Sequence, residues 1–404
     1  MALIYPFAAL RPAPSAAANV AAVPYDVVTT DEARELATAN PLSFLHVSRA
    51  EVDLPLDTDP YGDAVYARAA ANLTTLRERA PLIVEDLPSF YVYRLHMENH
   101  RQTGVAACFS LDEYESDAIK KHEKTRPDKE DDRTRHMIAI AAQTGPVFLT
   151  YRDSAAVAAV VERIAVTEPL YDFTAPDGVR HVVWRAPAAE NRAIQEAFVA
   201  IPTLYIADGH HRAASAARAR RHLGARGAGE HDRVLAVAFP EGQMQILPYN
   251  RVVRELNGRD AGAFLAALSQ QVLVSEGGSP TPTRRGEVAM YLAGTWYTLD
   301  LGEPLFGGDP TESLDVSRLQ DAVLAPLLGI EDVRTDKRVD FVGGVRGTSE
   351  LTRLVDSGRA AVAFSLAPVT VEDLMRIADA GGIMPPKSTW FEPKLRDGLL
   401  SHMI

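Results

Sequence analysis

A single cysteine, Cys108, stands in the 404 residues, so no internal disulfide can form and a cysteine-built structural zinc site is excluded. It lies in the apolar run Val105-Ala106-Ala107-Cys108-Phe109, which reads as a buried strand carrying a core thiol rather than a reactive one. The chain also lacks any stretch approaching roughly 18 uninterrupted apolar residues, so no membrane span is expected. Positive charge is not in excess: 42 Lys and Arg face 54 Asp and Glu, a formal net charge of -12. An acidic chain with no long basic block is poorly suited to non-specific nucleic-acid binding, so any anion must bind in a local pocket. Met1 to Pro12 has no basic start or cleavage pattern, and Pro6 interrupts its short apolar run, so no secretory leader is expected. These absences fit a cytoplasmic protein.

Several catalytic templates are missing too: no G-x-G-x-x-G, H-E-x-x-H, C-x-x-C or G-x-S-x-G occurs. Gly381 to Ser388 imitates a Walker loop in spacing, but Pro386 replaces the second glycine and removes an N–H that a phosphate cradle needs. A P-loop is therefore rejected. Pro385-Pro386-Lys387-Ser388-Thr389 is left as either a rigid loop carrying Lys387 into a site or a surface turn.

What is present is a globular balance, 47% hydrophobic and 24% charged, long enough for two or three domains. Thr29 and Glu32 have capping-box spacing and predict a helix to about Ala39, where Pro41 prevents continuation. Further helices are expected over Asp63 to Glu78 and Ala155 to Ala165. Phe90 to Leu95 and Arg101 to Ser110 read as a hairpin. Val23-Pro24-Tyr25-Asp26 is open to two readings: Tyr25 and Asp26 line a pocket, or Asp26 helps start the helix. Strands and helices are intermixed throughout, so the fold class is α+β, mixed α/β. Three regions are expected: 1–110, N-terminal α/β; 111–260, the nucleotide- or phosphate-binding core; and 261–404, a C-terminal α/β region carrying the Pro-Pro-Lys-Ser loop.

The strongest local signal is the buried-strand pattern Thr203-Leu204-Tyr205-Ile206-Ala207, then Asp208-Gly209-His210-His211-Arg212, then an Ala- and Arg-rich helix to Leu223 with Gly224 as its stop. A helix N-terminus presents unpaired N–H groups and partial positive charge, and phosphate binds there readily. Gly209 permits a tight turn, and His210, His211 and Arg212 add donors. Asp208 has three candidate roles: helix cap, metal ligand, or orienting partner of a histidine. Asp208 as a plain N-cap and the histidines as satisfied turn residues is the competing reading.

A second signal is the charged segment Asp117 to His136, with seven Lys or Arg and six Asp or Glu. Such a run is ordinarily a solvated surface. Here Glu123 sits among Lys120, Lys121 and Lys124 beside His122, and Pro127 breaks the run. A carboxylate held ionised among cations can act as a base toward a hydroxyl, while the lysines with Arg126 and Arg133 can neutralise a transferring phosphoryl group.

The Ala207 to Arg212 motif followed by an alanine-rich helix resembles the phosphate-binding box of the ParB/sulfiredoxin superfamily. More specifically, the chain resembles the bacterial domain-of-unknown-function family 1015 over nearly its whole length. The marks are Val23 to Val28, Asn40-Pro41 through His46, Lys120 to Arg133, Gly145 to Phe148, Ala207 to Arg212, Asn250 to Val253, Phe341 to Gly344 and Met384 to Lys394. Within that superfamily the resemblance implies a ParB-like core and an activity like that of free-serine kinases, with ATP or ADP as donor and Mg²⁺. It implies Glu123 as base and Asp208, His210 and His211 as catalytic, with Asp208 also the metal ligand. From the residue types alone, Gly209, Arg212, Lys120, Lys121, Lys124, Arg126 and Arg133 are expected to hold the nucleotide, and Tyr25, Asp26, Lys387, Ser388 and Thr389 the substrate. The sulfiredoxin branch depends on a cysteine where this box has histidines, and the acidic charge disfavours the DNA-binding branch. The expected partner is a small hydroxylated metabolite, with no nucleic acid, no membrane and a homodimer left open. A phosphatase or nucleotide hydrolase, and a non-enzymatic nucleotide sensor, are the alternatives at the same site.

Overall fold

The computed structural model describes residues 2–224, 227–303 and 309–404. Strands and helices intermix along the chain, as the sequence pattern predicts. The residues form two units, Met1–Met244 with Pro393–Ile404, and Gln245–Glu392. Among the described residues no helix is long and apolar enough to cross a membrane.

The first unit is built on a nine-stranded mixed sheet. Its hairpin joins Tyr91–Met97 to His100–Ser110 in antiparallel register, with Glu98 in a left-handed conformation at the turn (φ 53°). Cys108 lies buried on the second of these strands, and burial pushes its thiol pKa up. His100–Ser110 pairs in turn with Arg233–Pro240, so Ser110 faces Arg233. The boundary expected after residue 110 therefore falls inside one continuous sheet. Local composition carries no trace of a strand partner more than a hundred residues away.

On the other side, Arg233–Pro240 lies parallel to Val147–Tyr151, which pairs antiparallel with Leu204–Asp208. The register of that last pair slips between Ile206 and Asp208, leaving Ala207 as an extra residue. A bulge of this kind re-aims the side chains that follow it. Ile119–Lys120 completes this edge, parallel to Leu204–Asp208.

Two helices flank this edge. Pro127–Ile140 begins with its proline in the first turn, where the missing N–H costs nothing. Pro127 thus starts a helix inside the charged run and does not simply interrupt it. The second helix, His210–Leu223, buries Ala213, Ala216, Ala217 and Ala219, small enough for close packing. Ser215 Oγ donates to the Glu130 carbonyl at 3.0 Å and Thr134 Oγ1 to the Ser215 carbonyl at 3.5 Å, tying the two helices together. The predicted helices appear at Thr30–Ala39, with its Thr29–Glu32 capping box formed, and at Asp63–Arg79 and Ala155–Ala165.

A separate four-stranded sheet orders Leu82–Val84, Ala9–Pro12, Ser401–Met403 and Ala142–Gln143. The last residues of the chain thus return to the first unit.

The second unit carries a six-stranded antiparallel sheet, ordered Leu273–Glu276, Thr295–Asp300, Glu287–Leu292, Val362–Leu366, Tyr249–Val253 and Val339–Gly343. One apolar cluster gathers Phe264, Leu268, Leu319 and Leu324, and another packs Leu351 against Val252 and Ala363. The chain enters through Gln245–Leu247 and leaves through Trp390–Glu392, two strands paired with each other. The boundary expected at 260/261 is too late, because Tyr249–Val253 already belongs to this sheet.

Candidate active site

The site grows from the turn between the Leu204–Asp208 strand and the His210–Leu223 helix. Gly209 caps the helix at φ 95°, in the left-handed region that L side chains avoid. A Cβ there would also stand 2.9 Å from Arg212 Nε, so the turn requires glycine twice over. Arg212 folds back beneath the turn. One of its Nη atoms donates to the Pro146 carbonyl and the other lies 3.6 Å from Asp208. Its buried Nε meets no hydrogen-bond partner among the described residues.

Lys394 Nζ donates to Asp208 Oδ2 at 3.1 Å. Burial alone would raise the Asp208 pKa, but Lys394 and Arg212 outweigh it and hold the carboxyl well below the usual carboxylate range. Asp208 is therefore ionised and already neutralised by two cations. Among the described residues no group of three or more His, Cys, Asp or Glu is placed to hold a metal ion. Asp208 Oδ2 is engaged by Lys394 at 3.1 Å and faces Arg212 at 3.6 Å, an arrangement that holds the side chain in place. This arrangement fits an orienting anion beneath the turn.

His210 is buried, with its ring edge-on to His122 at a centroid distance of 4.3 Å. The His122 backbone N–H donates to His210 Nε2 at 3.3 Å, which leaves the proton on Nδ1, 3.6 Å from Glu123 Oε2. Burial, then the neighbouring His122, pushes the His210 pKa well below its ordinary value. It is a neutral imidazole with its proton toward Glu123, not a cationic phosphate ligand. His122 is also kept neutral by burial, pushed down to about 4, and neither ring nitrogen makes a well-formed hydrogen bond among the described residues. His211 plays a different part. Its Nε2 accepts the Arg126 backbone N–H at 3.1 Å and pins the charged loop to the helix.

Of the expected basic residues, the fold brings Arg133 to this cluster. It donates to Asp132 and the Ser48 carbonyl and covers the Tyr25 ring at 4.3 Å. Burial raises the Tyr25 pKa, and Asp26 adds to the rise. Lys120 and Lys121 pair instead with Asp117 at 3.5 and 3.3 Å, and exposed Arg126 pairs with Asp128 at 2.7 Å. Lys124 is exposed. These four are not gathered onto the turn, because short-range carboxylates of their own segment claim three of them. Lys387, Ser388 and Thr389 belong to the second unit.

Sequence reasoning missed Asp397 and the role of Lys394. Asp397 is buried beside Arg212, and a Cβ on Gly145 would stand 2.8 Å from its Oδ1. Burial, with Asp26 adding, pushes its carboxyl up to about 7 despite Arg212 and Arg133. Its backbone N–H and carbonyl both bond to Ala22, so the chain's two ends meet at the site. The pull between residues 22 and 397 leaves no local sequence mark.

Fold and site together define an α+β protein whose strand-to-helix turn carries ionised Asp208, neutral imidazoles and buried cations. A family model described as a protein of unknown function, DUF1015, matches residues 4–317, and the chain belongs to that family. No curated protein matches the chain. Among solved structures, the chain is similar to a free serine kinase in complex with AMP, at 14% identity and a TM-score of 0.38, covering 73% of this chain and 92% of that one. It is similar to C-terminally truncated SbnI from Staphylococcus aureus at 15% identity and a TM-score of 0.38, covering 72% and 85%. A conserved hypothetical protein from Pyrococcus furiosus gives 15% identity and a TM-score of 0.36, covering 73% and 94%.

Proposed function

We propose that this protein transfers a phosphoryl group from ATP or ADP to the hydroxyl of a small metabolite, free L-serine first. The observation that supports this reading is the Gly209-capped helix N-terminus, set between neutralised Asp208 and a Glu123 carboxylate 3.6 Å from buried His210. The first N–H groups of the helix offer a seat for phosphate oxygens, and Arg212 Nε is a buried donor with no acceptor among the described residues. Glu123 takes the hydroxyl proton. Neutral His210 steers that carboxylate through Nδ1–H, and Asp208 with Lys394 and Arg212 keeps the turn rigid. Most of the rate would come from positioning and from fixed charge around the transferring group.

The test is phosphorus NMR of the purified protein with nucleotide, Mg²⁺ and L-serine. Serine-dependent O-phosphoserine supports the kinase. Phosphate released without serine would make it a hydrolase, and tight nucleotide binding without turnover a sensor. Glu123→Gln is expected to lower kcat by about 10²–10⁴-fold, the usual size of a general-base contribution. Full activity in that variant would remove Glu123 from the reaction.

A further inference from the structure

The second unit contains a cavity of about 280 Å³, near the lower end of the range of small-molecule pockets (about 300–1,000 Å³). Its walls mix apolar Leu314, Val316, Leu366 and Val369 with the hydroxyls of Thr283, Thr370 and Ser388. Three arginines and two aspartates also line it.

The charges are unevenly matched. Asp373 takes Arg285 at 3.0 Å and Arg376 at 3.1 Å, and it accepts from Thr370. Asp315 accepts the Gly286 N–H at 2.9 Å, with Arg318 3.7 Å away. Arg284 reaches Asp300 at 2.6 Å. Arg251 alone among the lining ions has no carboxylate partner among the described residues. Its guanidinium donates to the carbonyls of Tyr249, Pro386 and Lys387, at 2.9, 3.3 and 3.4 Å, and lies 5.5 Å from the Phe341 ring.

Arg251 is also among the most deeply buried side chains of the protein, at 1% exposure in the middle of the Tyr249–Val253 strand. A buried charge without a counter-ion is costly, and sequences rarely retain one without a use. Burial pushes its pKa down to about 10, which still leaves it cationic at neutral pH. The Pro-Pro-Lys-Ser loop supplies two of its carbonyl partners and, through Ser388, part of the wall. Asn250 to Val253 and the Pro386 to Ser388 part of the Met384 to Lys394 mark thus meet at this cavity, while Lys394 of the same mark serves the Gly209 turn.

We infer that this cavity is a binding site for a small anionic metabolite, with a carboxylate or phosphoryl group meeting Arg251 and an apolar body against Leu366 and Val369. The anion supplies the missing counter-charge, while the hydroxyl protons of Thr283 and Thr370 stay with Glu287 and Asp373. The site lies wholly in the second unit and stands independently of any reaction at the Gly209 turn.

Isothermal titration of the full chain with isovalerate, isovaleramide and inorganic phosphate tests it. Isovalerate is expected to bind roughly tenfold or more tightly than its neutral amide, because a charge-assisted bond is lost. Whether phosphate also binds distinguishes a carboxylate site from one that takes either anion. Arg251→Met should abolish binding. Because that variant removes bonds to three carbonyls, Ala367→Trp is the companion: it fills the cavity from a half-buried loop position and keeps the arginine at 251. An A367W protein that melts like the parent and no longer binds isovalerate supports the site. Equal binding of acid and amide, isovalerate binding that survives in folded A367W, or no anion bound below about 10 mM would each overturn it. Phosphate held at the Gly209 turn would survive A367W, so the two sites are told apart.

Discussion

At the scale of single residues, the turn depends on a glycine and a buried carboxyl. Gly209→Ala places a Cβ both at φ 95° and against Arg212. Left-handed backbone costs a non-glycine residue about 1–2 kcal/mol, and displacing Arg212 adds to that. Urea unfolding should therefore show a loss of at least this size. Asp397 makes a prediction about pH. Its folded pKa, about 7, exceeds its ordinary 3.8, so the folded state holds the proton more tightly. Its contribution to stability is full below about pH 4 and is lost as pH rises toward 7, with a slope of at most about 1.4 kcal/mol per pH unit. Asp397→Asn stays neutral and should lack that decline. Parallel curves for the two proteins in chemical denaturation between pH 4 and 8 would refute the assignment. Asp208, Gly209 and Arg212 were legible in the sequence because they are neighbours in a strand-turn-helix pattern. Asp397 was not, since burial alone makes it unusual and burial is a property of the folded chain.

At the scale of elements, local signals were the readable ones. The Thr29–Glu32 pair announced its helix, and both halves of the box form: Glu32 N–H donates to Thr29 Oγ1 at 3.2 Å and Thr29 N–H to Glu32 at 2.8 Å. Thr29→Ala should cost about 1 kcal/mol, measurable as a lower denaturation midpoint with unchanged slope. The charged loop shows the limit. Its composition suggested a bank of cations facing one anion, yet Lys120 and Lys121 turn to Asp117 and Arg126 to Asp128. A run of mixed charge satisfies itself first, and only Arg133, carried into the interior by the Pro127–Ile140 helix, joins the cluster. The extra residue at Ala207 was equally hidden, because a bulge is set by the register of the partner strand.

At the scale of the whole molecule, chain order and spatial order part company. Gln245 and Glu392 are partners in one short ladder, so their Cα atoms lie about 5 Å apart. Replacing residues 245–392 by a short glycine-serine linker should leave a first unit that folds by itself, since its sheets use no strand from the excised segment. Circular dichroism and a cooperative melt would show it; a chain without a melting transition would mean that the segment is required. Sequence patterns divide the chain into three consecutive pieces because nothing local reveals that a segment has been inserted between two parts of one unit.

That arrangement also sets a timetable. Lys394, the counter-charge of Asp208, follows it by 186 residues. At about 5–20 residues per second of synthesis, Asp208 waits roughly 10–40 s for its partner. During that interval the turn holds a carboxylate with nothing but Arg212 to balance it, and the strand Ala9–Pro12 lacks its Ser401–Met403 neighbour. The part of the protein made first is thus the last to mature, and a ribosome stalled inside the second unit would release a chain whose site had never closed.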